Sequence, residues 1–317
     1  MKIQRAKFIG VSGVPDMTLD LTEGRTGVPH SLVAITGPGA SGKTRMIEAL
    51  IAAKEAIRAY GLMSTGASWI RGTASAKVYV TFYLDEAERD FANTSSPTLE
   101  GEVIFHPDRI NAEADDGLRA VLGRYAHNPA HGKVDYFPAE RRIPMFPPFA
   151  GLGAGEQRPG RLTNDPRKYG FVLPLLRSFE HDSARRERFA ASLEALSPTC
   201  RYAADTSGET IPRCFSSKGG DPVTVGQLSQ AESDAVIFAA TAATISLDHS
   251  LVFIDRPDLY VDDVDALLDG LASLGKNNQL LVTGGARLAA AAARRAHVIA
   301  LKSEPPASPQ PFVSRMK

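Results

Sequence analysis

The sequence predicts an α/β fold with a mostly parallel core sheet, and three short apolar runs predict it. Residues 31–36, SLVAIT, suit a strand buried on both faces. Residues 250–255, SLVFID, and 279–283, QLLVT, repeat that character far downstream. The first two runs lead into segments of helical periodicity, and strand, helix, strand at the 250–283 spacing implies parallel pairing through a right-handed crossover.

Immediately after the first run stands GPGASGKT, residues 37–44. This pattern is the phosphate-binding loop of nucleoside triphosphatases. Gly37, Gly39 and Gly42 open backbone angles closed to other residues, so that N–H groups along Gly37, Pro38, Gly39, Ala40, Ser41 and Gly42 can turn toward phosphate oxygens. Lys43 brings a point charge to the β- and γ-phosphates, and Thr44 offers a hydroxyl to Mg²⁺. Met46, Leu50, Ala53 and Ile57 then recur at helical spacing as far as Gly61, where the helix is expected to stop. Its positive end faces the same anion.

The middle of the chain, 85–226, is irregular, with one helix-like stretch, FVLPLLRSFEHDSARRERFAASLEAL. In QLSQAESDAVIFAATAA, residues 227–243, Ser229 followed by Glu232 reads as a capping box opening a helix. The run at 250–255 closes on Asp255, where a phosphate loop's partner acid holds Mg²⁺. Val264, Leu267, Leu268, Leu271 and Leu274 mark one face of a helix ending at Gly275, and HVIAL, 297–301, adds another strand. The tail, 303–317, is expected to be disordered.

Composition narrows the function classes. Over 317 residues, 36 basic side chains balance 36 acidic ones, which gives no support to a surface devoted to coating DNA. DNA remains a partner only through local groups such as Arg141, Arg142 and the run ARRERF at 184–189, which a solvated helix face explains equally well. No apolar run approaches the roughly 20 residues of a membrane span, and MKIQRAKF lacks a signal-peptide core, so the expectation is a cytoplasmic protein without a membrane partner. Cys200 and Cys214 have no metal-ligand spacing. His127 and His131 have the spacing of a helical metal pair, but Pro129 between them favours a loop. The loop at 145–162, rich in Pro and Gly, reads as a mobile lid or docking segment.

The order of these motifs resembles the ABC-type ATPase heads of the RecF, SMC and OLD-like group. The resemblance begins with the strands MKIQRAKFIGV and MTLDL and continues with KVYVTFYL, 77–84, as an antiparallel-looking strand, and YFPAERR, 136–142. It ends with LSQAE as the signature motif, FIDRPDLYVDD as Walker B with its following loop, and VTGGARL at the switch position. It implies one head over 1–302, with an N-terminal lobe over 1–84, an insert over 85–226 and a signature and Walker B lobe over 227–302. It implies ATP and Mg²⁺ as ligands, with Thr44 and Asp255 on the metal. It also implies a head-to-tail homodimer in which Ser229 reaches the partner's γ-phosphate, and a protein effector as a further partner.

The departures bear on catalysis. Where the family places a water-orienting glutamate, this chain has Arg256, which cannot accept a proton. The switch histidine falls on Gly284, the signature glycine is Ala231, and IRGTAS at 70–75 supplies no glutamine. Arg256 and Asp258, two residues on, are the remaining groups at the catalytic position. Neighbouring Glu140 is expected to form an ion pair with the Arg141–Arg142 pair. The leading expectation is a nucleotide-dependent dimerisation or regulatory switch with slow or lost hydrolysis. The alternative is a competent ATPase subunit of DNA repair or anti-phage defence working with an effector.

Overall fold

Two sheets enclose the helix that follows the phosphate loop. The computed structural model describes residues 1–24, 26–61, 66–72, 74–125, 132–145, 151–203, 213–217 and 220–302. His127, His131, part of the 145–162 loop and the tail therefore lie outside the described residues. In chain order the elements begin β1 (Lys2–Ile9), β2 (Met17–Asp20), β3 (Leu32–Thr36), α1 (Lys43–Ile57), β4 (Ala76–Tyr83), α2 (Glu86–Ala92), β5 (Thr98–Phe105), β6 (Ile110–Ala114), α3 (Asp116–Leu122) and β7 (Val134–Phe137). They continue α4 (Ala154–Gln157), α5 (Val172–Ser178), α6 (Ser183–Leu196), β8 (Cys200–Tyr202), β9 (Phe215–Ser217), α7 (Gln230–Thr244), β10 (Leu251–Asp255), α8 (Val264–Ala272), β11 (Gln279–Gly284), α9 (Ala286–Ala292) and β12 (His297–Ala300).

The core sheet has the order β12-β3-β11-β10-β7, and every neighbouring pair in it is parallel. All residues of β10 and β11 are buried, as expected for parallel strands covered on both faces. The second sheet, β2-β1-β4-β5-β6, is antiparallel. Along β4 buried and half-buried residues alternate strictly, so one face looks inward and the other toward solvent. α1 touches both sheets. That explains its burial well beyond the stripe of Met46, Leu50, Ala53 and Ile57, since Ile47, Ala49 and Ile51 are also covered.

Several boundaries differ from expectation for local reasons. α1 stops at Ile57 rather than near Gly61, because Arg58 turns to extended backbone. The Glu55 carboxylate then accepts the N–H groups of Tyr60 (2.9 Å) and Gly61 (3.1 Å), folding the chain back across the helix end. The stretch read as one helix splits into α5 and α6, because Asp182 caps the second by accepting the Arg185 N–H at 2.9 Å. α8 ends at Ala272, short of Gly275. The described part of the 145–162 loop is anchored at buried Gln157, Arg161 and Leu162, which corrects the lid reading for those three residues, while Gly153, Gly155 and Glu156 are exposed. α4 lies there, Gln157 and Arg161 are buried, and Arg161 forms an ion pair with buried Asp135 at 2.8 Å. Beside it Lys168 is fully buried and donates to the carbonyls of Tyr136, Arg161 and Thr163, and burial pushes its ammonium well below the ordinary value.

Candidate functional site

Residues 37–44 connect the end of β3 to the start of α1, and the loop's backbone is the kind only this composition allows. Gly42 is left-handed at φ 89°, and a Cβ there would meet the Gly13 carbonyl at 2.2 Å. The β1–β2 connection thus presses directly on the loop, and no side chain fits between. Ala40 also has positive φ, 59°. The α1 N-terminus has no side-chain cap and no acidic residue in its first turn. Its orphan N–H groups and the positive end of the helix dipole therefore face the loop without an internal anion, so the residues fit a phosphate.

Lys43 folds back over the loop, its Nζ donating to the Gly37 carbonyl (2.9 Å), the Pro38 carbonyl (2.6 Å) and Ser41 Oγ (3.3 Å). Burial lowers the Lys43 ammonium from its ordinary value and nearby Arg256 lowers it further, while Asp255 and Asp258 oppose them. Thr44 Oγ1 donates to Asp255 Oδ2 at 2.8 Å, and Thr283 Oγ1 donates to Asp255 Oδ1. The hydroxyl and carboxylate singled out as Mg²⁺ ligands are thus adjacent, although 211 residues apart in sequence. Among the described residues no group of three or more His, Cys, Asp or Glu could hold a metal. A hydroxyl and one carboxylate are the donor set of a Mg²⁺ that keeps water and phosphate ligands, not of a metal caged by protein.

Beyond Asp255 the chain turns sharply. Arg256 has φ 48°, and its N–H donates to both the carbonyl and Oγ1 of Thr283, each at 3.1 Å. Its side chain is exposed. Asp258, only 8% exposed, folds back toward the end of β11, where its Oδ1 lies 3.0 Å from the point a Cβ on Gly284 would occupy. The missing side chain at 284 leaves no vacancy, because the Asp258 carboxylate and Leu288 fill that space.

Ser229 is the N-cap of α7, and the capping box predicted with Glu232 is formed. The hydroxyl donates to Glu232 Oε2 at 2.7 Å and accepts the Glu232 N–H at 3.3 Å. The ion pair expected between the arginine pair and Glu140 is not the one Arg141 makes. Arg141 is buried, pairs with Asp234 on α7 at 2.6 Å, and donates to the Asp255 carbonyl at 2.9 Å. Sequence reasoning also missed Thr283. The signal for it was its place at the end of the apolar run 279–283, as Asp255 ends the run 250–255, and the structure pairs the two residues in register (Asp255↔Thr283).

No protein-family model matches the chain, and no curated protein matches it. Among solved structures it is similar to an SMC head bound to the C-winged helix domain of ScpA, with TM-score 0.58, 13% identity, and 89% of this chain and 90% of that one covered. It is similar to the same degree, TM-score 0.58 at 14% identity, to an SMC head with an extended coiled coil bound to the C-terminal domain of ScpA, derived from Pyrococcus furiosus, covering 92% of this chain and 91% of that one. The recombination mediator RecF aligns more loosely, with TM-score 0.48, 10% identity, and 90% and 92% covered. The chain has the fold of SMC head domains. No described helix is long and apolar enough to cross a membrane.

Proposed function

We propose that this chain is a single ATP-binding head that uses Mg-ATP to drive head-to-tail dimerisation, a switch with slow hydrolysis. The observation that carries the reading is the pairing of Thr44 with Asp255 at 2.8 Å, beside an uncapped helix N-terminus and the lysine of a complete phosphate loop. Lys43 holds the β- and γ-phosphates, and loop N–H groups hold the remaining oxygens. Thr44 and Asp255 hold Mg²⁺, which neutralises phosphate charge when bound. Ser229 sits at the N-terminus of a 15-residue helix, and to reach a second subunit's γ-phosphate its hydroxyl exchanges the Glu232 carboxylate it now donates to for a phosphate oxygen. Arg256, exposed and cationic, cannot orient a water as a base would.

Two solved heads of this fold are bound to ScpA domains, which supports a protein effector as the further partner of this one. Light scattering tests the switch. The mass should double with Mg-ATP and remain monomeric in Lys43→Ala, because a ligand shared between subunits favours the dimer by mass action. The same mass with and without ATP at high protein concentration overturns it.

One observation favours the second reading, a competent ATPase working with an effector in DNA repair or anti-phage defence. Asp258 lies beside Gly284 and close enough to Lys43 to act on its charge. A carboxylate there is a candidate base for the attacking water. Turnover of radiolabelled ATP separates the two readings.

A further inference from the structure

Arg141 ranks among the largest fully buried side chains, at 1% exposure, and its bonds reach three separate elements. Nη1 donates to the Pro138 carbonyl just past β7 (2.7 Å) and to the Asp255 carbonyl at the tip of β10 (2.9 Å). Nη2 donates to Asp234 Oδ2 on α7 (2.6 Å) and to the Arg256 carbonyl (3.4 Å). Gln230 closes the ring, its Nε2 donating to the Arg141 carbonyl and to Asp234 Oδ1, both at 2.8 Å. Gln230 follows Ser229 directly and belongs to the first turn of α7.

These acceptors are not incidental. The β7–β10 ladder ends at Ile254↔Phe137, so the next carbonyls of β10 have no strand partner on that side. The guanidinium takes over where the ladder stops. The peptide it holds carries the Asp255 carboxylate toward Thr44 and gives Arg256 its left-handed backbone. A planar guanidinium holds its donors in a rigid fork with two nitrogens that reach acceptors on different elements, a fixed geometry that the single nitrogen of an ammonium does not reproduce. A buried ion pair alone is weak evidence for anything beyond packing. Here, however, the same guanidinium also holds the carbonyl of Asp255, the acid proposed for Mg²⁺, while its carboxylate partner stands on α7 in the turn after Ser229.

We propose that Arg141 is a positioning residue that ties the first turns of α7 to the acid-bearing tip of β10, so that nucleotide at the phosphate loop is felt at Ser229. The proposal rests on the ATP-binding reading. Coupling of this kind is reciprocal, so engagement of Ser229 alters Mg-ATP affinity by the same factor. The tie is internal to one subunit and operates before any dimer forms.

Hydrogen exchange in dilute protein tests it, read at the amides of Ser233 and Asp234. The Ser233 N–H bonds to the Ser229 carbonyl at 2.9 Å, so its exchange reports on opening of the first turn. Saturating Mg-ATP should slow that exchange by about fivefold or more in the wild type, the lower end of usual intersite coupling. Gln230→Leu cuts the strap without orphaning a buried charge. It should keep Mg-ATP affinity by calorimetry and lose the slowing. Arg141→Lys, read at saturating nucleotide, should lose it too. A purely structural Arg141 predicts lower melting temperatures in both variants with the ATP-induced slowing intact, and that result overturns the proposal. Mg-ATP binding to the wild type without any change at α7 also overturns it, while leaving the ATP reading standing. A wild type that binds no Mg-ATP removes the ATP reading and the tie together.

Discussion

Gly284→Ala should destabilise the chain and disturb the nucleotide site, although it adds a single methyl. A Cβ at this position lies 2.6 Å from Leu288 Cδ2, 2.7 Å from Leu288 Cβ and 3.0 Å from Asp258 Oδ1. The Leu288 contacts cannot relax cheaply, because that side chain is fully buried and one of the clashing atoms is its Cβ. Overpacking of this kind costs about 1–3 kcal/mol. For a chain of 317 residues, that lowers the melting temperature by roughly 1.5–4.5 °C. Gly285→Ala is the matched control, since nothing lies within 4 Å of a Cβ there. Gly285 is the N-cap of α9, so the control should cost less than about 1 kcal/mol. Thermal melts by circular dichroism compare the two, and ATP turnover in the same proteins reads displacement of Asp258. Gly284→His should be worse than Gly284→Ala on both measures, because the imidazole must also evict the Asp258 carboxylate. If Gly284→Ala melts with Gly285→Ala, the close packing around position 284 is wrong and a histidine could be accommodated there after all.

Further outcomes follow from the same geometry. Lys43→Ala should weaken Mg-ATP binding several-fold to a hundredfold by calorimetry, since charge-assisted phosphate contacts are worth about 1.5–3 kcal/mol. Asp258→Asn should remove about 10²-fold or more of whatever ATP turnover the wild type has, with affinity nearly unchanged, and equal turnover would exclude Asp258 as base. Arg256→Glu should raise turnover by about 10²-fold if the missing acid limits hydrolysis, whereas loss of turnover would make Arg256 a phosphate-stabilising cation. Burial lowers the Lys54 ammonium to about 7 despite the opposing pull of Glu55. From there up to the ordinary 10.5 the unfolded chain holds a proton that the folded chain has released, so this group's contribution to stability rises with pH. Urea unfolding should therefore show the wild type gaining on Lys54→Met across that window, and a constant difference would contradict it.

The sequence was most legible where structure is local. The helix start after Gly42, the capping box of Ser229 with Glu232, and the buried runs at 250–255 and 279–283 each depend on bonds or periodicities within a few residues. The errors came where a competing local signal was overlooked. Asp182 interrupts a helical periodicity that otherwise runs through it, and Glu55 halts α1 before its expected glycine. Arg141 was misassigned because Glu140 is adjacent in sequence, whereas Asp234, 93 residues away, is adjacent in space.

The sequence by itself determined the phosphate loop, its lysine and hydroxyl, and the acid at the end of a buried strand. Backbone freedom at glycine, helix capping and strand burial are properties of short segments, and they survive any arrangement of the rest. Only the tertiary structure decided what stands around that site. Parallel pairing of β10 with β11 and β7 brings Thr283 and Arg141 to Asp255. The left-handed turn at Arg256 leads into Asp258, which folds back beside Gly284. Those contacts join residues whose separation in the chain carries no information about distance, because strand order and helix packing set them through burial of the whole core.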